Sequence, residues 1–309
     1  MPVTIKTPLP GAYAPRRIDN ARGILLMSLG FFLFSVVDAG AKVLTENLHA
    51  VQIVWVRQLG LLAIVAVLLL RHGPGILRSR APVRQVARGV VAAGSALLFV
   101  IAVGYVPLAD AVAVSFVAPL IVTALGGVML GERVGPRRWA AVLIGLAATL
   151  LILRPGAGVV HPAAALVVIA ATFFAIRQII SRTVSGVDPL ETTVAYTALT
   201  ASALLSLPLV FVWEWPTGRE IAVLTLVAAL AGLAEYLVIR ALDIAEAVVL
   251  APLHYSLIVW GTLWGFLVFG DLPDGWTFVG AAVIVASGLY TLHRERQAAR
   301  EIRKPGASP

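Results

Sequence analysis

Runs of about 20 apolar residues, one after another with only short polar joints, constrain this chain more than any other feature. Inside a bilayer no water is available to satisfy backbone N–H and C=O groups, so runs of this length can only be helices. They predict ten spans: residues 22–44, 50–70, 89–106, 109–130 and 139–153, then 162–182, 190–212, 221–242, 245–269 and 276–292. The fifth is short enough to be pinched or nearly untilted. With 60% of its 309 residues hydrophobic, 13% charged and a mean hydropathy of +0.93, the chain has too little polar surface for a soluble domain. The expected fold class is an all-α integral membrane protein.

The two halves carry matching text. The first reads Val106-Pro107-Leu108-Ala109-Asp110-Ala111, an apolar stretch with Pro119, then Gly131-Glu132-Arg133 and Trp139. The second reads Ala245-Glu246-Ala247, an apolar stretch with Pro252, then Gly270-Asp271-Leu272-Pro273 and Trp276. A shift of about 139 residues lays Gly126 on Gly265, Gly131 on Gly270 and Glu132 on Asp271; about 140 lays Phe34 on Phe174 and Lys42 on Arg182. Five spans per half is an odd number, so the second copy enters the membrane upside down. The expected architecture is ten transmembrane helices in two inverted five-helix repeats, residues 21–154 and 162–293, with the joint at Arg154-Pro155-Gly156. Residues 1–20 and 294–309 are expected to be cytoplasmic tails. The first span is too long, and too interrupted by Asp38 and Lys42, for the core of a cleaved signal.

A net charge of +8 would suit nucleic acid, but the cations fall in loops and tails, and no basic face with interleaved aromatics remains. With the N-terminus inside, Arg71, Arg78, Arg80, Arg84, Arg88, Arg133, Arg137, Arg138, Arg182, Arg240 and the cations of both tails all lie on the cytoplasmic side. Only Lys42, Arg154 and Arg219 lie opposite. That asymmetry favours a multi-pass protein of a bacterial-type inner (plasma) membrane with both termini cytoplasmic. The absence of cysteine excludes disulfides and thiolate metal sites. No cofactor or metal site is expected. The partners expected are a small-molecule substrate and the lipid bilayer; oligomeric state is open, a homodimer included.

Ionisable groups inside spans are costly and become functional candidates by default. Asp38 and Lys42, one turn apart, can pair with each other near the headgroups; the sharper reading turns Asp38 toward Arg57 as part of an outer gate. Arg57 sits deeper than snorkelling requires. Arg177 suits either an inner gate or a headgroup anchor, whereas Arg240 reads as an ordinary anchor. Desolvation disfavours a charged carboxylate in an apolar span, so Glu235 can bind a proton or hold a cationic part of a substrate. Its plainer reading is a neutral acid bonded to a neighbouring helix. His254 can partner it, or simply be hydrogen-bonded. Phe34, Phe99, Phe174, Tyr236, Tyr255 and Trp260 are candidates for ring stacking, against the plainer role of packing; Phe31 and Trp264 belong to the same aromatic group. Ser35, Ser95 and Ser115 add small polar groups. Pro119 and Pro252 each remove a helical hydrogen bond and are expected to kink the fourth and ninth spans as hinges. The Gly127-x-x-x-Gly131 and Gly261-x-x-x-Gly265 spacings signal close packing.

These residues together resemble the EamA family of the drug/metabolite transporter superfamily over nearly the whole chain. The likeness is carried by Pro107-Leu108-Ala109-Asp110-Ala111, Gly131-Glu132-Arg133, the run Phe34-Ser35-Val36-Val37-Asp38-Ala39-Gly40-Ala41-Lys42, and the block from Leu250-Ala251-Pro252 through Tyr255, Trp260 and Gly265 to Phe269-Gly270-Asp271-Leu272-Pro273-Asp274. The last block is similar to a bacterial branch that includes riboflavin and S-adenosylmethionine carriers. The resemblance implies ten helices, a central cavity lined mainly by the first, third, fourth, sixth, eighth and ninth, and secondary transport or exchange in either direction. The chain departs in its ninth span, where Pro252 does not align with Pro119 and His254 stands at the position of Ser115.

The expected function is thus a secondary transporter of a small organic metabolite working by alternating access. Riboflavin comes first, and S-adenosylmethionine, an amino acid or another metabolite is the alternative. No Gly-x-x-x-x-Gly-Lys-Ser/Thr loop is present, so hydrolysis of ATP by this chain is not expected. A membrane-embedded enzyme would need a convergent catalytic set, and the spans offer one well-buried histidine and no cysteine. A scaffold gains nothing from inverted halves with buried charges, and a channel would be told apart by single-channel conductance.

Overall fold

The computed structural model describes residues 19–129, 136–153, 161–184, 187–245 and 250–302, and every described element is helical. Gly131-Glu132-Arg133, the Arg154-Pro155-Gly156 joint, Glu246-Ala247, residues 1–18 and residues 303–309 lie outside these residues; the last helix runs on through 294–302 of the expected C-terminal tail. The helices are α1 (Asn20–Leu44), α2 (Ala50–His72), α3 (Pro82–Val103), α4 (Leu108–Ser115), α5 (Ala118–Met129) and α6 (Pro136–Leu153). They continue as α7 (Ala164–Val184), α8 (Leu190–Val212), α9 (Gly218–Ile244), α10 (Ser256–Phe269) and α11 (Gly275–Ile302). Short 3₁₀ turns cover Pro74–Leu77 and Ala251–Tyr255. Among the described residues, six helices are long and apolar enough to cross a membrane: α1, α2, α3, α7, α8 and α9. Shorter apolar stretches are Leu108–Val122, Leu143–Ile152, Leu253–Phe269 and Gly275–Ser287.

Local chemistry fixes several ends. Thr217 and Glu220 form a capping box on α9: the Thr217 N–H donates to Glu220 Oε2 at 2.7 Å and the Glu220 N–H to Thr217 Oγ1 at 3.4 Å. Asp19 accepts from the Arg22 N–H and starts α1. At the end of α10, Gly270 takes φ +72, which costs glycine nothing.

Three expectations need correction. Pro119 does not kink a continuous helix: the fourth span breaks at Phe116–Val117, and Pro119 stands in the first turn of α5. There its missing N–H would have no helical acceptor anyway. Pro252 likewise stands at the start of the 3₁₀ turn before α10, not within an α-helix. The third span begins at Pro82 instead of residue 89, again with proline at the first turn, which draws Arg84 and Arg88 into the helix.

Small residues set the packing. Gly60 of α2 and Gly232 of α9 meet backbone to backbone; a Cβ on Gly232 would lie 2.6 Å from the Gly60 carbonyl carbon and oxygen. Gly23 and Gly30 let α1 approach α9 at Ala241 and Ala234, and Gly280 lets α11 approach α6 at Ala148. The neighbour list has a regular form. α1 packs on α9 and α3 on α7; α2 packs on α9 and α3 on α8; α10 packs on α1 and α5 on α7. α2 with α8, α6 with α11, and α4 with α10 complete it.

Buried polar groups tie the helices at both ends of the bundle. The Gln52 side chain is fully buried; its Nε2 donates to the Glu214 carbonyl and its Oε1 accepts from the Glu214 N–H, both at 2.9 Å. Trp55 Nε1 donates to Ser206 Oγ at 2.8 Å. Because Gln52→Ala removes the two bonds that hold the Glu214 backbone, it should cost about 1–2 kcal/mol, read as a lowered thermal midpoint of the purified protein. At the other end Asp188 accepts from Ser79 Oγ at 2.5 Å, the Arg80 N–H at 2.8 Å and Gln85 Nε2 at 2.9 Å. Partial desolvation would raise this carboxyl, but the bonds from Gln85, Ser79 and the Arg80 backbone outweigh it and hold the group below its ordinary 3.8. A carboxyl depressed on folding contributes stability above that value and loses it as pH falls through the folded one. The stability gap between wild type and Asp188→Asn should therefore be full at neutral pH and close on acidification, followed by urea unfolding at stepped pH.

Candidate functional site

Two similar groups of side chains occupy the middle of the bundle. In the first, Arg57 of α2 pairs with Asp38 of α1 at 3.7 Å, and its guanidinium carbon lies 5.4 Å from the Phe34 ring centroid. In the second, Arg177 of α7 pairs with Glu235 of α9 at 3.2 Å, and its guanidinium carbon lies 5.6 Å from the Phe174 centroid. Each is a phenylalanine, an arginine over its face and a carboxylate closing the pair. The four charged side chains are only 14–20% exposed, so neither pair is an ordinary surface bridge.

Beside the second of them is His254, on the 3₁₀ turn that precedes α10. Its ring meets Phe31 of α1 edge-on at 4.4 Å and Phe174 of α7 at 6.2 Å, so it bridges elements from both halves. One residue on, Tyr255 packs at 5.4 Å against Phe116, which sits at the break between α4 and α5. Both broken helices thus meet near the centre, where interrupted backbone can face a ligand.

Asp38 takes Arg57 as its partner, not Lys42. Lys42 Nζ instead donates to the Val106 carbonyl at 3.0 Å and to Asp271 Oδ2 at 3.4 Å, and lies 4.7 Å from the Phe269 centroid. Its role is to tie α1 to the loops before α4 and α11. Trp260 does not share the His254–Phe174 group. It packs with Phe32 at 5.1 Å, while Trp264, one turn on, lines an apolar crevice between α1, α9 and α10. Tyr236 is 36% exposed, turned away from its neighbour Glu235. Phe99 packs on the large apolar cluster around α4. Ser115 Oγ donates to the Val112 carbonyl on its own helix. Ser35 Oγ accepts from Trp264 Nε1 at 3.0 Å and donates to the Phe32 carbonyl; Ser95 donates to the Ala170 carbonyl. No group of three or more His, Asp or Glu placed to hold a metal occurs among the described residues.

Two residues escaped the sequence reading. Phe116 was indistinguishable from a packing residue, whereas Phe31 stood in the aromatic group already singled out. Arg88 counted as a loop cation; it is 5% exposed, with Nε donating to Ser181 Oγ at 2.7 Å and Nη1 to Thr197 Oγ1. The signal available for it was Pro82, which starts a helix and puts Arg88 two turns inside.

Arg57→Ala would leave Asp38 buried without its cation. We expect a transport loss of about tenfold or more with Asp38→Asn/Arg57→Gln partly restoring folded yield, both read on the same vesicles.

Residues 21–154 match the EamA-like transporter family. A riboflavin transporter of Rhizobium johnstonii is 30% identical over 92% of this chain and 94% of its own length. An S-adenosylmethionine uptake transporter of Rickettsia felis is 25% identical over 91% of this chain and 97% of its own. A solved crystal structure aligns with a TM-score of 0.64 at 21% identity, covering 93% of this chain and 100% of that one, a likeness of fold. This chain therefore belongs to the EamA-like transporter family, and it is a multi-pass membrane transporter of a small metabolite.

Proposed function

We infer that this chain is a secondary carrier of a planar metabolite, riboflavin first, in a bacterial-type inner membrane with both termini cytoplasmic. Ten spans form two inverted units, residues 21–154 and 162–293, that rock about a site between them. Two features support the inverted pair. The helix neighbours keep their pattern when the first five spans are exchanged for the second five, and the Phe–Arg–carboxylate group occurs once on each side. The observation that supports the substrate class is the aromatic cluster of Phe31, His254 and Phe174, with Tyr255 next in the chain. A flat ring that parts these rings replaces one aromatic contact by another at little cost. The charged pairs on either side then serve as gates, opening on one face while the other holds.

Substrate choice follows from the charges. A cationic sulfonium wants a spare carboxylate, but Asp38 and Glu235 each already face an arginine. A neutral ring system needs no such anion, which favours the compound named for the Rhizobium relative over that of the Rickettsia one. The test is uptake of labelled riboflavin by cells lacking other routes for it, with Phe174→Ala and Tyr255→Ala as variants. Uptake that depends on the chain and falls about tenfold or more in both variants supports riboflavin. Saturable S-adenosylmethionine uptake with no riboflavin response moves the assignment.

A further inference from the structure

α9 and α10 both pack on α1, and an apolar crevice of about 170 Å³ runs between them with α1 as its floor. Val36, Gly40 and Val43 of α1 and Val223, Val227 and Leu230 of α9 line it, a rise of about 10 Å along each helix. Leu226 and Val268, about half exposed on its two walls, leave it open on the lipid side. The Nε1 of Trp264 donates to Ser35 Oγ, so the crevice meets the apolar ring of that residue. Water needs two or more polar partners to stay in such a space, whereas an apolar cavity of about 150 Å³ remains dry and takes up a small apolar molecule. At the corresponding end of the α3–α7 pair, long side chains fill the room. Arg88 Nε donates to Ser181 Oγ at 2.7 Å and Arg84 Nη1 to the Thr183 carbonyl at 3.3 Å. A shift of about 139 residues lays Val223 and Val227 on Arg84 and Arg88, so α9 carries short side chains where α3 carries long ones.

We propose that this crevice seats one acyl chain of a membrane phospholipid, with Arg219 holding the phosphate of the same lipid. Trp213 and Trp215, exposed between α8 and α9, mark the headgroup level at this end of the bundle. Arg219 is exposed in the first turn of α9, four residues before Val223 and on the face that carries Val223, Val227 and Leu230. From Arg219 the crevice therefore descends into one leaflet, the course a chain takes below its own phosphate. Glu220 is engaged in the α9 cap and Lys42 with Asp271. Glu46, one turn past Val43, adds a negative charge at this level, which suits a zwitterionic headgroup over an anionic one. The seat lies between α1, from the first half of the sequence, and two helices of the second, so a chain there bridges the halves. It is separate from the aromatic cluster around His254 and stands whatever the substrate.

The experiment places the purified full-length protein in phosphatidylcholine vesicles doped with phosphatidylethanolamine that bears a diazirine midway along one chain. Illumination and peptide mapping then show where the chain lies. Residues 36–43 and 223–230 should be labelled well above residues 204–211 of α8, whose Leu204, Leu207, Val210 and Phe211 are exposed to bulk lipid. Leu226→Trp fills the crevice from one wall and Val268→Phe from the other. Each should lower the crevice label about tenfold and leave the α8 label unchanged. Leu207→Trp is the control and should change nothing in the crevice. Arg219→Gln should lower the crevice label about fivefold, the loss of one cation beside the phosphate. Equal labelling of the crevice and α8 in the wild type overturns the seat, as does crevice label that survives both filling variants. A crevice left unlabelled on a surface otherwise labelled has another occupant and overturns it too. Label that falls in the filling variants but not in Arg219→Gln overturns the phosphate contact and upholds the chain.

Discussion

Gly232→Val is expected to abolish the folded carrier. α2 and α9 cross where Gly60 and Gly232 have no side chains, and an added Cβ would meet the Gly60 carbonyl group at 2.6 Å. The obstacle is backbone, which no rotamer change can move. Relief requires the helices to part along a crossing that also buries Leu61, Ala231 and Val227. Overpacking of this kind costs about 3 kcal/mol or more, a large share of the roughly 5–15 kcal/mol that holds a protein folded. Gly75→Ala is the control, since nothing lies within 4 Å of the site of its Cβ. Detergent extraction followed by size-exclusion chromatography should give a monodisperse peak for wild type and Gly75→Ala and aggregate for Gly232→Val. A normal peak for Gly232→Val would mean that the α2–α9 crossing is not as close as described.

Glu235→Ala should have the second large effect. It leaves the Arg177 guanidinium buried with no anion and with the Arg88 charge bearing on the same region. Removing one partner of a buried pair costs about 3–5 kcal/mol, chiefly because the other charge stays desolvated. The paired neutral variant Arg177→Met/Glu235→Leu removes both charges at once and should recover most of the folded yield. It should not recover transport, since the gate is gone. Thermal midpoints and uptake measured on the same three proteins separate these outcomes. Recovery of uptake by the neutral double variant would show the pair to be structural only.

What the sequence made legible was set by range. Hydropathy runs are local, so spans such as the first, second and seventh match their helices within a few residues, while the third begins seven residues earlier and the last helix ends ten residues later than expected; Phe34 and Phe174 are matched by the repeat alone. Capping chemistry is local too: Thr217 and Glu220 carry their box in four letters. Partners across the bundle were not legible. Lys42 meets Asp271 across 229 residues, and no local pattern prefers it to Asp38 four positions away. Arg88 was misread because a cation near a span end ordinarily marks a loop. Only its place beyond Pro82, and the hydroxyls of Ser181 and Thr197 on two other helices, make it a buried residue. The prolines were noticed, but a hinge inside a helix and the first turn of a new one look the same in sequence.

The chain has no cysteine, so one introduced at Ser115, beside the Phe116–Tyr255 contact, can be labelled alone. The decisive measurement is its rate of modification by a membrane-impermeant maleimide in right-side-out and inverted vesicles, with and without substrate. A central site served by alternating access predicts labelling from both faces and slowing of both by substrate. Labelling from one face only, indifferent to substrate, would contradict the account.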